Sequence, residues 1–131
     1  MKNFTLLLLF LISFSASSQI LNPVKWEFGS EKITDTEYTL VFVAKMDPHW
    51  ALYSQFVEEG GPLPTLFSFE SSPGFERIET VMESDANKVT QHDPVFEMVV
   101  SKFYDKAVFK QRVRVKSSAF TMRGNIDFMT C

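Results

Sequence analysis

Cysteine and histidine, which often carry nucleophilic and metal chemistry, are scarce in this chain of 131 residues, with one cysteine and two histidines. His49 and His92 lie in polar, turn-like stretches, and neither is near a nucleophile motif such as GxSxG. A Ser/His/Asp hydrolase therefore has little support. The adjacent carboxylates Glu58 and Glu59 do not fit a glycosidase, because neighbouring residues of an extended chain point to opposite faces.

Runs of basic residues are also missing from the sequence. Lysine and arginine together number 13 against 16 acidic residues, which gives a formal net charge of −3. An acidic domain without a basic run lacks the electrostatic footprint of a nucleic-acid-binding protein and the polybasic surface that binds anionic lipid. We therefore expect no nucleic-acid partner.

The N-terminus carries an apolar run, from Phe4 to Phe14. Lys2 precedes the run and the small residues Ala16 to Ser18 follow it, which is the order of a secretory signal peptide. The run is about half as long as the roughly 20 apolar residues that a transmembrane helix needs. The sequence predicts a signal peptide over residues 1–18 and one exported domain over residues 19–131.

Apolar residues in the rest of the chain recur with a period of two, which is typical of strands with one buried face. In EYTLVFVAKM (37–46), for example, Leu40, Phe42 and Ala44 share one face. Turn signals such as Asp47-Pro48 separate the alternating segments. The predicted strands are 24–29, 36–46, 50–56, 65–70, 75–82, 95–101, 108–116 and 120–130.

Short strands at this spacing, with no convincing amphipathic helix, predict an all-β fold, an immunoglobulin-like two-sheet β-sandwich. The segment 82–94 is predicted to be the longest polar loop. The phenylalanines, 14 in the full chain, are spread along it and indicate an aromatic-rich core rather than disorder.

The single cysteine, Cys131, ends the segment GNIDFMTC. Exported proteins usually pair their cysteines or avoid them, so a single one is an odd count. Its position alone leaves open whether Cys131 is incidental or one half of a broken pair.

A copper site is a further possibility, because thioethers suit Cu(I) and the two histidines could join them. The methionines concerned are Met46, Met82, Met98, Met122 and Met129. They form no HxH or MxxM spacing with the histidines or one another, so methionine filling gaps in an aromatic core is the favoured interpretation, and no metal site is assigned.

Four stretches agree in order and spacing with one known family. They are ILNPVKWEF (20–28), WALYSQFVEEGGPLPTLFSFE (50–70), DPVFEMVVSKFYDKAVFKQRVRV (93–115) and GNIDFMTC (124–131). Together they resemble the N-terminal domain of the thiol:disulfide interchange protein DsbD, particularly the forms found in Bacteroidetes-type bacteria.

This resemblance implies a periplasmic immunoglobulin-like domain that relays electrons and needs no cofactor. It receives them from a polytopic membrane domain by way of a thioredoxin-like domain. It passes them to periplasmic partners such as disulfide isomerases and cytochrome c maturation proteins.

The working group of the family is a pair of cysteines a few residues apart, and Cys131 matches the first of them. The second cysteine would lie beyond residue 131, so we expect the chain to stop inside its own redox loop. A lone cysteine can be captured in a mixed disulfide but cannot resolve it, so no net reductase activity is expected from this chain alone.

The family also covers its cysteines with a short cap loop that carries an aromatic side chain. Phe103 and Tyr104 match that loop, and a ring over sulfur would exclude water and stray thiols. An alternative interpretation makes Phe103 an ordinary core residue on a strand. Tyr53 matches a tyrosine beside the cysteines, while Ala51 stands where some members of the family carry another tyrosine.

Two other classes of function stay open at this point. One is a non-catalytic exported β-sandwich that binds or adheres, with Cys131 incidental. The other is a periplasmic copper carrier.

Overall fold

The computed structural model describes residues 19–131, and the predicted signal peptide, residues 1–18, lies outside this part of the chain. Residues 19–131 form nine strands and no helix. The strands are β1 (Val24–Lys32), β2 (Glu37–Met46), β3 (Ala51–Tyr53), β4 (Leu66–Phe69), β5 (Phe75–Glu83), β6 (Lys88–Asp93), β7 (Met98–Tyr104), β8 (Lys106–Val115) and β9 (Gly124–Asp127). A helix long and apolar enough to cross a membrane is not found among these residues.

All strand pairs are antiparallel and form three sheets. A four-stranded sheet has the order β1-β2-β8-β5, a three-stranded sheet the order β3-β7-β6, and β4 pairs with β9. A bridge between Leu52 and Thr130 joins the chain beyond β9 to β3. The two smaller sheets thus share a layer that packs on the four-stranded sheet, which confirms the predicted immunoglobulin-like all-β sandwich.

The core lies between these layers and is built from aromatic rings. The ring centroid of Phe67 on β4 lies 5.0 Å from that of Phe109 on β8 and 5.2 Å from that of Phe42 on β2. Leu52 and Phe103 complete the core from the three-stranded sheet, and both are fully buried. Aromatic pairs of this kind add about 0.5–1.5 kcal/mol each beyond their buried area.

The period-two pattern places these side chains as predicted. In β2 the buried positions include Phe42, Ala44 and Met46, while Lys45 between them is exposed. In β8 the fully buried Phe109 and Val113 share the inward face of the strand. Alternation therefore decides which residues of each long strand reach the core.

The prediction of a polar loop over residues 82–94 is wrong, because this segment contains β6. This strand is at the edge of its sheet, and five of its six residues are exposed or half-buried. Backbone pairing with β7, from Lys88 opposite Phe103 to Asp93 opposite Met98, forms it without an apolar face. An edge strand that buries so little has no period-two signal to find.

The predicted strand 95–101 begins later than expected, at Met98. The Asp93 carboxylate accepts hydrogen bonds from the backbone N–H of Val95 at 2.8 Å and of Phe96 at 3.3 Å. These bonds satisfy backbone donors in a turn, and Glu97 at its end has a positive φ of 54°. The β6–β7 turn, defined as residues 94–97, therefore replaces the start of the predicted strand.

Candidate functional site

Backbone pairing with β3 holds Cys131 in place. The N–H of Ala51 donates to the Cys131 carbonyl at 2.8 Å, and the N–H of Cys131 donates to the Ala51 carbonyl at 3.1 Å. The bridge between Leu52 and Thr130 extends this pairing. Cys131 is exposed, so its thiol is presented at the margin of the β3-β7-β6 sheet rather than in the core.

The register of β3 with β7 decides which side chains accompany Cys131. Ala51 lies opposite Tyr104, Leu52 opposite Phe103 and Tyr53 opposite Lys102. Directly opposed residues of an antiparallel pair share a face of the sheet, and successive residues alternate between faces. We call the face that carries Ala51, Tyr53, Lys102, Tyr104 and Cys131 the site face. The core face carries Leu52, Phe103 and Thr130.

The structure corrects the predicted cap loop. Phe103 and Tyr104 are the last two residues of β7, not part of a loop, and the turn follows them at Asp105, whose φ is +66°. Phe103 is fully buried in the core, with its ring centroid 5.8 Å from that of Phe109. It lies on the opposite face of the sheet from Cys131. The alternative interpretation of Phe103 as a core residue on a strand therefore describes the structure.

Tyr104 lies on the site face and is half-buried. Its opposite residue, Ala51, is the residue whose backbone pairs with Cys131. Tyr104 and Cys131 thus flank the small side chain of Ala51 on the same surface.

Tyr53 is the predicted site residue that lies on the site face two residues after Ala51, whose backbone pairs with Cys131. Only 1% of Tyr53 is exposed, and its backbone carbonyl accepts a hydrogen bond from the Thr65 hydroxyl at 2.6 Å. Burial raises the pKa of Tyr53 well above its ordinary value, and the neighbouring Cys131 side chain raises it further. The Asp93 carboxylate acts in the same direction through its negative charge.

Sequence reasoning missed three residues around Tyr53. Lys102 places its ammonium group 5.9 Å from the centre of the Tyr53 ring. Asp93 lies 3.9 Å from that ammonium, and Phe96 meets Tyr53 edge-on with ring centroids 6.5 Å apart. The one available signal was a lysine that shares a strand face with Val100 in MVVSKFY, where an unpaired charge would be costly if that face were buried.

The residues of the copper hypothesis do not gather in one place. His49 lies in the turn between β2 and β3, whereas His92 lies on β6. Met46 is part of the hydrophobic core, whereas Met82 is exposed on β5. Within residues 19–131, no group of three or more histidine, cysteine, aspartate or glutamate side chains is arranged to hold a metal ion.

A second feature of the described chain is an apolar groove of about 430 Å³ between β1–β2 and β4–β9. Its walls include Phe28, Leu40, Phe42, Phe67, Phe69 and Ile126. Arg123 is the charged residue that lines it. The groove lies on other strands than those that hold Cys131.

The fold is similar to that of a solved structure, the N-terminal periplasmic domain of ScsB from Proteus mirabilis. The two share 14% sequence identity with a TM-score of 0.57, and the match covers 85% of this chain and 41% of that one. No family model matches the sequence. No curated protein matches it either. At this identity the likeness shows the fold alone, and the resemblance to the Bacteroidetes-type forms stays a prediction.

Proposed function

We propose that this domain takes part in thiol–disulfide exchange in the periplasm and that Cys131 is its reacting group. The observation that carries the proposal is the placement of Cys131. It is exposed, fixed to β3 by two backbone hydrogen bonds, and on the same face of the sheet as the buried Tyr53. An exposed thiol held by backbone pairing to a strand is suited to attack on a partner rather than to packing.

In the proposed reaction, the thiolate of Cys131 attacks one sulfur of a partner disulfide. A new S–S bond forms between Cys131 and that sulfur, and the other partner sulfur leaves as a thiolate. Release of the mixed disulfide needs a second thiol. Because the 131 residues contain one cysteine, we expect capture of a partner but no turnover by this chain.

The periplasmic setting and the partners are part of the proposal. The predicted signal peptide supports export, and the similar structure is itself described as a periplasmic domain. In the DsbD-like scheme, a thioredoxin-like domain and a polytopic membrane domain of the same system supply electrons. Disulfide isomerases and cytochrome c maturation proteins receive them.

A trapping experiment tests the proposal. The chain is incubated with a thioredoxin-like protein that lacks its resolving cysteine and whose remaining active-site cysteine is held as a mixed disulfide with thionitrobenzoate. Attack by Cys131 then releases thionitrobenzoate as the leaving thiolate, and the protein adducts are separated on a non-reducing gel. We expect an adduct that reductant dissolves and that Cys131→Ser abolishes. Adduct formation no faster than with an unrelated exposed thiol of equal concentration would contradict the proposal.

The apolar groove favours one alternative function, a non-catalytic binding module. A volume of about 430 Å³ lies within the usual range for small-molecule sites, which is roughly 300–1,000 Å³. If the trapping experiment fails, binding of an apolar fluorescent probe is the next measurement. Loss of that binding in Phe28→Ala, whose side chain is 66% exposed, would place the probe in the groove.

A further inference from the structure

Two charged side chains are buried on the site face, and the proposed exchange does not use them. Asp93 is 6% exposed and Lys102 is 9% exposed, and the carboxylate and ammonium groups lie 3.9 Å apart. Burying two charges is costly even when they pair, and the turn bonds that Asp93 accepts do not need the buried ammonium of Lys102 beside it. The pair therefore calls for a role in the chemistry beside it.

The ion pair lies beside Tyr53. The ammonium of Lys102 is 5.9 Å from the ring centre of Tyr53 and 5.8 Å from that of Tyr104. The carboxylate of Asp93 holds the β6–β7 turn through the N–H groups of Val95 and Phe96. Phe96 then packs edge-on against Tyr53. Both members of the pair thus bear on the orientation of one phenol ring.

Tyr53 lies on the same face of the sheet as Cys131, because Cys131 pairs through its backbone with Ala51, which is two residues before Tyr53 on β3. We propose that the Asp93–Lys102 ion pair is a positioning element for Cys131, which fixes Tyr53 against the sulfur and balances two opposite charges at the reacting group. This inference rests on the proposed role of Cys131 as a nucleophile. It goes beyond that role by assigning control of the thiol to a pair of residues on β6 and β7.

The two charges are expected to have opposite effects on the reactivity of Cys131, and a double-mutant cycle separates these two effects. Lys102→Gln leaves the Asp93 carboxylate uncompensated, which disfavours the thiolate of Cys131. Asp93→Asn leaves the ammonium uncompensated, which favours the thiolate, and an asparagine oxygen can still accept the bonds of the turn. We expect iodoacetamide to alkylate Cys131 on the order of threefold to tenfold more slowly in the first variant and faster in the second.

The double variant Asp93→Asn/Lys102→Gln should return close to the parent rate, because both charges are gone. Lys102→Arg should also stay close to the parent, because it keeps the charge. Lys110→Gln, an exposed change on β8, is the matched control and should have no effect. Tyr104 and the terminal carboxylate of the 131-residue chain also face the thiol region, but they are common to all variants and cancel from the comparison.

Near-ultraviolet circular dichroism checks that each variant is folded under the conditions of alkylation. A purely structural role would loosen the site in both single variants and change both rates in the same direction, which would overturn the proposal. If Lys102→Gln does not fold, Asp93→Asn alone decides, since a rate that is unchanged or slower contradicts the balance of charges. A failed partner trap with an intact alkylation cycle would reject the exchange function while leaving the ion pair's control of the thiol in place.

Discussion

The two faces of the β3–β7 pair differ sharply in chemistry although their residues alternate along the same two strands. The core face presents Leu52 and Phe103, both fully buried in the aromatic core. The site face presents Tyr53 and Tyr104 beside Lys102, which pairs with Asp93, and it also carries the exposed Cys131. A shift of one residue along either strand therefore separates a packing role from a chemical one.

The difference explains why residues that are adjacent in the sequence have different roles on this pair of strands. Phe103 and Tyr104 are adjacent and both aromatic, but the pleat sends their side chains to opposite sides of the sheet. Only the residue on the side of Cys131 can bear on its chemistry directly. Mutations on the two faces are therefore expected to have different effects.

The largest expected effect is on the core face. Phe103→Ala should lower the free energy of unfolding by about 3–5 kcal/mol, because it removes a fully buried ring and leaves a cavity beside Phe109. Urea denaturation followed by intrinsic fluorescence measures the loss. Since small domains are stable by about 5–15 kcal/mol, the variant would lose a large share of its stability.

Phe103→Leu sharpens the same comparison because it keeps an apolar side chain and should leave the chain folded. In that variant the alkylation rate of Cys131 should match the parent rate, since position 103 faces away from the thiol. A clear acceleration would show that Phe103 covers Cys131 after all and that the two faces are not separate.

Most of the fold could be predicted from the sequence, because long strands with one buried face carry a period-two pattern. That pattern correctly located β2, β5 and β8 to within a residue or two at most ends. It failed at β6, which is held by backbone pairing at a sheet edge and whose one buried residue is the charged Asp93. Backbone hydrogen bonds leave no trace in side-chain composition.

The candidate site could be predicted only in part. The resemblance pointed to Tyr53 and Tyr104, and both lie on the site face near Cys131. It also pointed to Phe103, whose place in the core depends on the register of β7 against β3. Asp93 and Lys102 are four residues apart in pairing register and meet only through their side chains, so no local motif indicates them.

A smaller loss in the free energy of unfolding is expected from a mutation at Tyr53 than from Phe103→Ala. Tyr53→Phe removes a buried hydroxyl and its interaction with Cys131, and should cost about 0.5–1.5 kcal/mol near neutral pH. Because the pKa of Tyr53 is raised in the folded chain, the folded state resists ionisation of this phenol. Its contribution is complete below the unfolded pKa of about 10 and is lost as the pH rises above that value.

The parent chain should therefore lose stability above about pH 10 more steeply than Tyr53→Phe, which has no phenol at this position. Urea denaturation of both proteins at a series of alkaline pH values measures the difference. Tyr38→Phe, a change at a half-buried tyrosine on β2, serves as the control. Parallel losses in the parent and in Tyr53→Phe would contradict the raised pKa and weaken the contrast between the two faces.

The smallest effect is expected at Tyr104, the neighbour of Phe103 on the opposite face. Tyr104→Leu removes the ring that lies 5.8 Å from the Lys102 ammonium, and should cost about 0.5–1 kcal/mol through the lost cation–π contact. Tyr104→Phe keeps the ring and should leave the free energy of unfolding nearly unchanged. Urea denaturation of both variants gives the comparison. A loss in Tyr104→Leu as large as that in Phe103→Ala would mean that the site face is packed as a second core, and the tyrosine would then act by burial rather than by its contact with a charge.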